Sequence, residues 1–247
     1  MPSPAAQCSY IEIVQLVAQA VGHPKPVDVA GSQDEAVLRL GWYANQACTE
    51  LAIKCDWNEL TFPYTISIFN DYVGQPEKAF DLPADFYGFL DNTQWNRSTQ
   101  LPAIGPVTPQ DWQWLVVRQA LITTRFMWRL RNGQLWIKSP PESPQPFVFE
   151  YTSKNWCVDG LTGATKDLMS NNSDYHVYPW DVVVLLTRSK WLKNEGYDNK
   201  AAQDDFEQAL AARMGSNLGN TSLNLVPGGG YPYLNANNNA PDTGYGR

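Results

Sequence analysis

The sequence predicts an α+β protein: an antiparallel helical bundle from N- and C-terminal helices, a mainly β insert, and an extended C-terminal arm. Three observations support this fold class. Apolar residues recur with helical spacing in residues 1–57 and again in residues 177–214. Between them, residues 58–176 are rich in Trp, Pro and β-branched residues, which favours strands. Residues 215–247 hold seven Asn, seven Gly and three Pro, a composition too polar for a core.

The composition bounds the class of protein. The chain has 247 residues and is 43% hydrophobic, which is enough to bury a core. Its net charge is −7 and no segment is basic, so broad binding to a phosphate backbone is not expected. No apolar run approaches the ~18 residues that a membrane span needs. The first seven residues lack Lys and Arg, and no signal peptide is predicted.

The N-terminal segment predicts two helices. The first covers residues 9–21, because Ser9 and Glu12 have the spacing of a capping box and Gly22 can end the helix. The second covers residues 32–56, and we expect it to begin at a second capping box formed by Ser32 and Glu35.

The insert predicts strands at residues 61–69, 124–131 and 147–151, which are rich in β-branched and aromatic residues. Asn132 and Gly133 together are a strong signal for a two-residue hairpin turn. The return strand of that hairpin would then contain Leu135 and Ile137.

Three further helices are predicted. A short one within the insert would have Thr108 as its N-cap and an acid, Asp111, at its third position. Helical spacing returns over residues 180–194. Asp198 would cap a last helix that ends near residue 214.

The cysteines and histidines give little sign of a chemical site. The four cysteines have no paired C-x-x-C spacing, so we expect reduced thiols in a core and no zinc site: Cys8, Cys48, Cys55 and Cys157. A nucleophile pair of Cys157 and His176 is conceivable. The glycines at 228–230 lack the following Lys-Ser/Thr of a phosphate loop, and no cofactor is predicted.

Two other groups leave alternatives open. Asp81, Asp85 and Asp91 could supply the two acids of a glycoside hydrolase that acts on peptidoglycan, although turn-forming or solvated loop acids are the simpler interpretation. Four arginines also lie among tryptophans, a combination that can bind single-stranded nucleic acid or form the charged face of a strand. The residues of this group are Arg118, Arg125, Arg129, Arg131, Trp112, Trp114, Trp128 and Trp136.

Six local strings are spread along nearly the whole chain. They are WNELT at 57–61, FDLPADF at 80–86, RNGQLWIKSPP at 131–141, FVFEYTSKNW at 147–156, NEGYD at 194–198 and PDTGYG at 241–246. These strings and the order of elements resemble the head-to-tail adaptor proteins of short-tailed bacteriophages, of the tail tubular protein A type. Residues 160–176 match none of the family's strings.

The resemblance implies a structural virion protein and no enzyme. Such adaptors form a ring, usually twelve-fold, below the portal protein, extend the DNA channel and provide a platform for the tail nozzle protein. The resemblance implies that the arm contacts the portal or a neighbouring subunit. The candidate contact residues are the apolar residues of the arm together with its terminal motif: Leu223, Leu225, Tyr231, Tyr233, Leu234, Asp242, Thr243 and Tyr245.

Overall fold

The computed structural model describes residues 8–70, 77–117, 125–138 and 140–217. Within these residues the fold is α+β, as predicted, with five α-helices and several antiparallel sheets. The helices are α1 (Tyr10–Ala20), α2 (Glu35–Lys54), α3 (Pro109–Val117), α4 (Trp180–Asn194) and α5 (Lys200–Asn217). None of them is long and apolar enough to cross a membrane.

The strands fall into three groups along the chain. The first five are β1 (Thr61–Ile68), β2 (Glu77–Asp81), β3 (Phe86–Phe89), β4 (Trp95–Asn96) and β5 (Leu101–Pro102). The next three are β6 (Met127–Arg131), β7 (Gln134–Lys138) and β8 (Gln145–Ser153). The last three are β9 (Cys157–Val158), β10 (Thr165–Lys166) and β11 (Tyr175–His176).

The helix caps confirm one predicted start and correct another. At α1, the backbone N–H of Ser9 donates to Glu12 Oε2 at 2.7 Å, as the capping-box spacing predicts. The predicted capping box of Ser32 and Glu35 is wrong, because Asp34 is the N-cap of α2 and accepts the N–H of Ala36 at 3.0 Å. Ser32 instead accepts the N–H of Asp34, so its hydroxyl closes the turn that precedes the helix.

The predicted caps of the later helices are confirmed. At α3, Thr108 Oγ1 accepts the N–H of Asp111 at 3.2 Å and donates to its carboxylate at 2.8 Å. At α5, Asp198 Oδ1 accepts the N–H of Lys200 at 3.0 Å. Each cap satisfies a backbone N–H that has no partner inside the helix.

Helix α4 lies at the centre of the helical part, because it contacts α1, α2 and α5. Its apolar residues Val182, Val183, Leu186 and Trp191 are buried in one hydrophobic cluster with the inward faces of the other three helices. The short sheet β10-β9-β11 packs against the same cluster, since Trp156, Cys157, Met169 and Tyr178 all belong to it.

The other sheets have a separate, mainly aromatic cluster. One sheet has the order β1-β8-β4-β5, with β3 also paired to β8, and the other has the order β2-β7-β6. The predicted turn between β6 and β7 is confirmed, with φ angles of 52° at Asn132 and 70° at Gly133. The cluster contains Ile68, Phe80, Phe126, Trp128, Leu135, Ile137, Phe147, Phe149 and Tyr151.

Candidate binding surfaces

Cys157 and His176 are brought together but are closed to a substrate. The antiparallel pairing of β9 and β11 places them directly opposite each other, and both residues are completely buried. Burial raises the pKa of the Cys157 thiol to about 12 and lowers the pKa of His176 to about 4. At neutral pH the pair is therefore a thiol and a neutral imidazole, and this geometry does not support a nucleophilic thiolate.

Asp81, Asp85 and Asp91 have three different surroundings. Asp85 accepts hydrogen bonds from the Tyr151 hydroxyl at 3.0 Å and the Ser153 hydroxyl at 2.7 Å, which ties the start of β3 to β8. Asp81 accepts a hydrogen bond from Gln134 at 2.8 Å. Asp91 is exposed and lines a depression of about 210 Å³. The first two carboxylates thus have a structural role in holding strands together.

Two arginines of the arginine and tryptophan group stack on tryptophans of the same group. The Arg129 guanidinium lies 5.6 Å from the ring centre of Trp112, and the Arg131 guanidinium lies 5.0 Å from that of Trp136. Trp112 is buried and donates its ring N–H to Glu77, so it offers no free face to a nucleic-acid base. Arg118 lies outside the described residues.

A partly buried ion network, which the sequence analysis did not find, holds the segment between β9 and β11. The Lys166 ammonium lies 2.7 Å from Asp174 Oδ2, 3.0 Å from Asp159 Oδ2 and 3.2 Å from Ser170 Oγ. Burial alone would raise the pKa of Asp174, but Lys166 and two backbone N–H groups outweigh it and lower that pKa. The described residues contain no group of three or more side chains that could hold a metal ion.

The outward face of α2 forms an uncharged stripe. Leu38, Trp42 and Ile53 are 49%, 58% and 61% exposed. Gln46 and Thr49 lie between Trp42 and Ile53 in the sequence. The five residues have the i, i+4, i+8, i+11, i+15 spacing of one helical face. We call these five residues the α2 stripe. An uncharged stripe with three large apolar side chains is typical of a surface that another protein covers.

A groove of about 680 Å³ runs between α2, α4 and α5. Lys190, on α4, pairs with Glu50 on α2 at 2.6 Å. Lys193 and Lys200 also line the groove, and neither makes an ion pair within the described part of the chain. The groove is also lined by two acids, Glu50 and Asp204, so its lysines are largely balanced and it is not a strongly basic surface.

The outer strand β1 carries a third surface. Phe62 and Tyr64 lie opposite Tyr151 and Phe149 of β8, so their side chains are on the aromatic-cluster side of the sheet. The two β8 residues are buried, whereas Phe62 and Tyr64 are 41% and 38% exposed. The aromatic face is therefore covered at β8 and uncovered at the margin of the sheet.

Comparison of the sequence with protein-family models and with curated proteins finds no match. The eight predicted contact residues of the arm, from Leu223 to Tyr245, lie outside the described residues. The described surfaces and the resemblance of the local strings are therefore the grounds for a functional proposal.

Proposed function

We propose that the protein is a structural virion protein, a head-to-tail adaptor that forms a ring under the portal. One observation carries this proposal: the α2 stripe. The opposite face of α2 is buried in the helical core, so the stripe contributes little to the monomer's own packing. A ring in which each subunit covers part of the next would remove such a surface from water.

The proposed ring gives each part of the chain a place in the assembly. The helices form an antiparallel bundle and the mainly β segment is an insert in it. The sequence predicts that the arm begins at residue 215, but α5 continues to Asn217, so the residues after Asn217 form the arm that reaches the portal or a neighbouring subunit. The resemblance implies a ring of twelve subunits. It extends the DNA channel and provides the docking platform for the tail nozzle protein.

The proposed role requires no cofactor and no turnover. Genomic DNA passes through the channel without sequence-specific binding, and the net charge of −7 supports this because an acidic wall does not hold DNA. The protein would be assembled in the host cytoplasm and would reside at the head–tail junction of the virion.

Electron microscopy of this protein mixed with the portal protein of the same genome tests the proposal. We expect a closed ring stacked on the portal. A chain without residues 220–247 should keep its thermal unfolding transition but should fail to assemble on the portal. If the truncated chain still assembles, the role given to the arm is wrong.

Absence of any complex with the portal across salt concentrations would contradict the adaptor role. The two alternatives would then be measured directly: release of fragments from purified peptidoglycan, and salt-dependent binding of DNA to the isolated protein. Two control samples, buffer alone and the portal protein alone, provide the baseline for both assays.

A further inference from the structure

The C-terminal arm leaves the helical bundle at the end where the mainly β segment begins. Arg39, near the start of α2, pairs with Glu195 directly after α4 at 3.2 Å, so these two packed helices run antiparallel. Arg213, near the end of α5, pairs with Asp181 at the start of α4 at 2.9 Å, so α5 is antiparallel to α4 as well. The C-terminal ends of α2 and α5 therefore lie at the same end of the bundle.

Helix α5 continues past the end of α2. The Lys54 ammonium, in the last residue of α2, lies 5.2 Å from the ring centre of Phe206 on α5. Asn217 is 11 residues further along, which is about 17 Å of helix. The link from α2 to β1 lies at the same level, because Trp57 packs at 5.1 Å on Tyr178, which is two residues before α4. The arm thus starts close to the beginning of β1.

Strand β1 presents an uncovered aromatic surface near this point. Phe62 and Tyr64 are both half-exposed, and each ring centre lies 6.2 Å from that of Tyr151. The sequence of β1, TFPYTISI, contains no charged residue. Large apolar side chains on an uncharged strand are typical of a surface that another segment covers.

The side chains of β1 suit docking better than its backbone edge does. Pro63 lies opposite Glu150. The N–H of Glu150 donates to Thr93 and its C=O accepts the N–H of Leu90, so both point away from β1. Pro63 therefore faces the free edge, where its missing N–H interrupts pairing with an added strand.

Two leucines of the arm match this surface and come early in it. Residues 221–226 read TSLNLV, and the period of two places Leu223 and Leu225 on one side of an extended segment. They are six and eight residues after Asn217, so at about 3.3 Å per residue they can lie up to roughly 20 and 26 Å from it. A compact domain of this size has a radius of gyration of roughly 17 Å, so this reach favours a surface of the same subunit.

We propose that residues 221–226 of the free subunit fold back onto their own β1, with Leu223 and Leu225 packed against Phe62 and Tyr64. The short link makes this contact intramolecular, with an effective concentration in the millimolar range. Neither segment carries a charge, so the contact involves no repulsion. The contact is autoinhibitory: it holds the arm until the portal or a neighbouring subunit takes its place. This release step rests on the proposed function, whereas the docking itself does not.

Hydroxyl-radical labelling of the full-length chain, read by mass spectrometry, tests the docking over a series of protein concentrations. We expect Phe62 and Tyr64 to be protected equally at every concentration. The variant L223D/L225D should lose this protection, because it places two carboxylates against the aromatic rings. The matched variant S222D/N224D carries the same charges on the other side of the segment and should keep the protection. Adding the portal protein to the wild-type chain should increase the labelling of both rings.

Three results would overturn the inference. Equal labelling of the two rings in all three proteins would mean that the arm does not cover β1. Protection that disappears on dilution would identify a second copy as the occupant. Protection that persists in rings formed on the portal would show that the contact does not inhibit assembly. The adaptor role itself is judged separately, by whether the ring forms on the portal.

Discussion

At the scale of single residues, Lys166 and Asp174 decide whether the segment between β9 and β11 can pack on the helices. Asp174 is completely buried, and its Oδ2 also accepts the N–H groups of Ser170 and Asn171 at 2.7 Å each. A carboxylate in such a place needs a cation, because burial without one leaves an uncompensated charge. Lys166 supplies that cation through a side chain that remains partly exposed.

Replacing Lys166 by Met should therefore destabilise the protein by about 3–5 kcal/mol, because it leaves the Asp174 charge buried without its partner. Urea unfolding followed by tryptophan fluorescence measures the change. The double variant K166M/D174N should recover much of the loss, since it removes both charges. Lys154→Met is the matched control at an exposed lysine, and an equal loss there would contradict the role of the pair.

The burial of His176 predicts that the stability of the protein depends on pH between about 4 and 6.5. Burial lowers its folded pKa to about 4, below the ordinary value near 6.5, so the unfolded chain binds more protons between these two values. The contribution to the free energy of unfolding is fully present above pH ~6.5 and is lost as the pH falls towards 4, by roughly 3 kcal/mol in total.

The variant H176F tests this dependence, because phenylalanine fills similar space and does not titrate. Its free energy of unfolding should change less between pH 7 and pH 4 than that of the wild-type protein. Identical slopes in the two proteins would show that His176 does not titrate with this shift. Carboxylates with lowered pKa, such as Asp174, contribute mainly below that window.

At the scale of elements, local chemistry predicts what lies within a few residues along the chain. The cap at Ser9, the cap at Thr108 and the turn at Asn132-Gly133 all depend on short spacings, and each is confirmed. At α2 the same logic fails, because Asp34 and Ser32 are both good capping residues and the sequence alone does not rank them.

Pairing between distant elements could not be predicted in the same way. Strands β9, β10 and β11 have two residues each, too few for a period of two to be visible. The juxtaposition of Cys157 with His176 arises from their register, so the sequence could suggest the pair by chemistry but could not reveal its burial. The ion network of Lys166 was missed for the same reason.

The contact between β3 and β8 yields a further prediction, for Asp85→Ala. This change leaves the hydroxyls of Tyr151 and Ser153, both buried, without their shared acceptor, at a cost of about 1–3 kcal/mol per hydroxyl. Thermal unfolding measures the loss, with Asp91→Ala as the control at an exposed acid.

A second measurement separates this role from a general loss of packing. Burial, followed by the neighbouring Asp85 carboxylate, raises the pKa of Tyr151 to about 12. In the Asp85→Ala variant that pKa should move back towards the ordinary value near 10, which ultraviolet titration detects. An unchanged tyrosine titration together with unchanged stability would show that Asp85 does not hold the two strands together.

At the scale of the whole molecule, the two hydrophobic clusters explain how the chain divides its apolar residues. Helices α1, α2, α4 and α5 share one cluster with Cys157 of β9 and residues near the short strands, and the strands from β1 to β8 contribute the other. Sequence periodicity identifies the inward face of α2, but it gives no reason for Leu38, Trp42 and Ile53 on the outward face. These exposed apolar side chains contribute little to folding, which makes them informative about assembly.

Replacing Trp42 by Glu should therefore separate assembly from stability. Because Trp42 is largely exposed, we expect the free energy of unfolding to change by no more than about 0.5 kcal/mol. A charge in the middle of the α2 stripe should nevertheless prevent close packing of a neighbouring subunit, so rings on the portal should be lost in electron micrographs. Leu161→Glu, at another exposed apolar residue outside the stripe, is the matched control and should leave the rings intact. Intact rings with W42E would exclude the α2 stripe as the subunit contact, while loss of rings with both variants would show that any added surface charge disrupts the assembly.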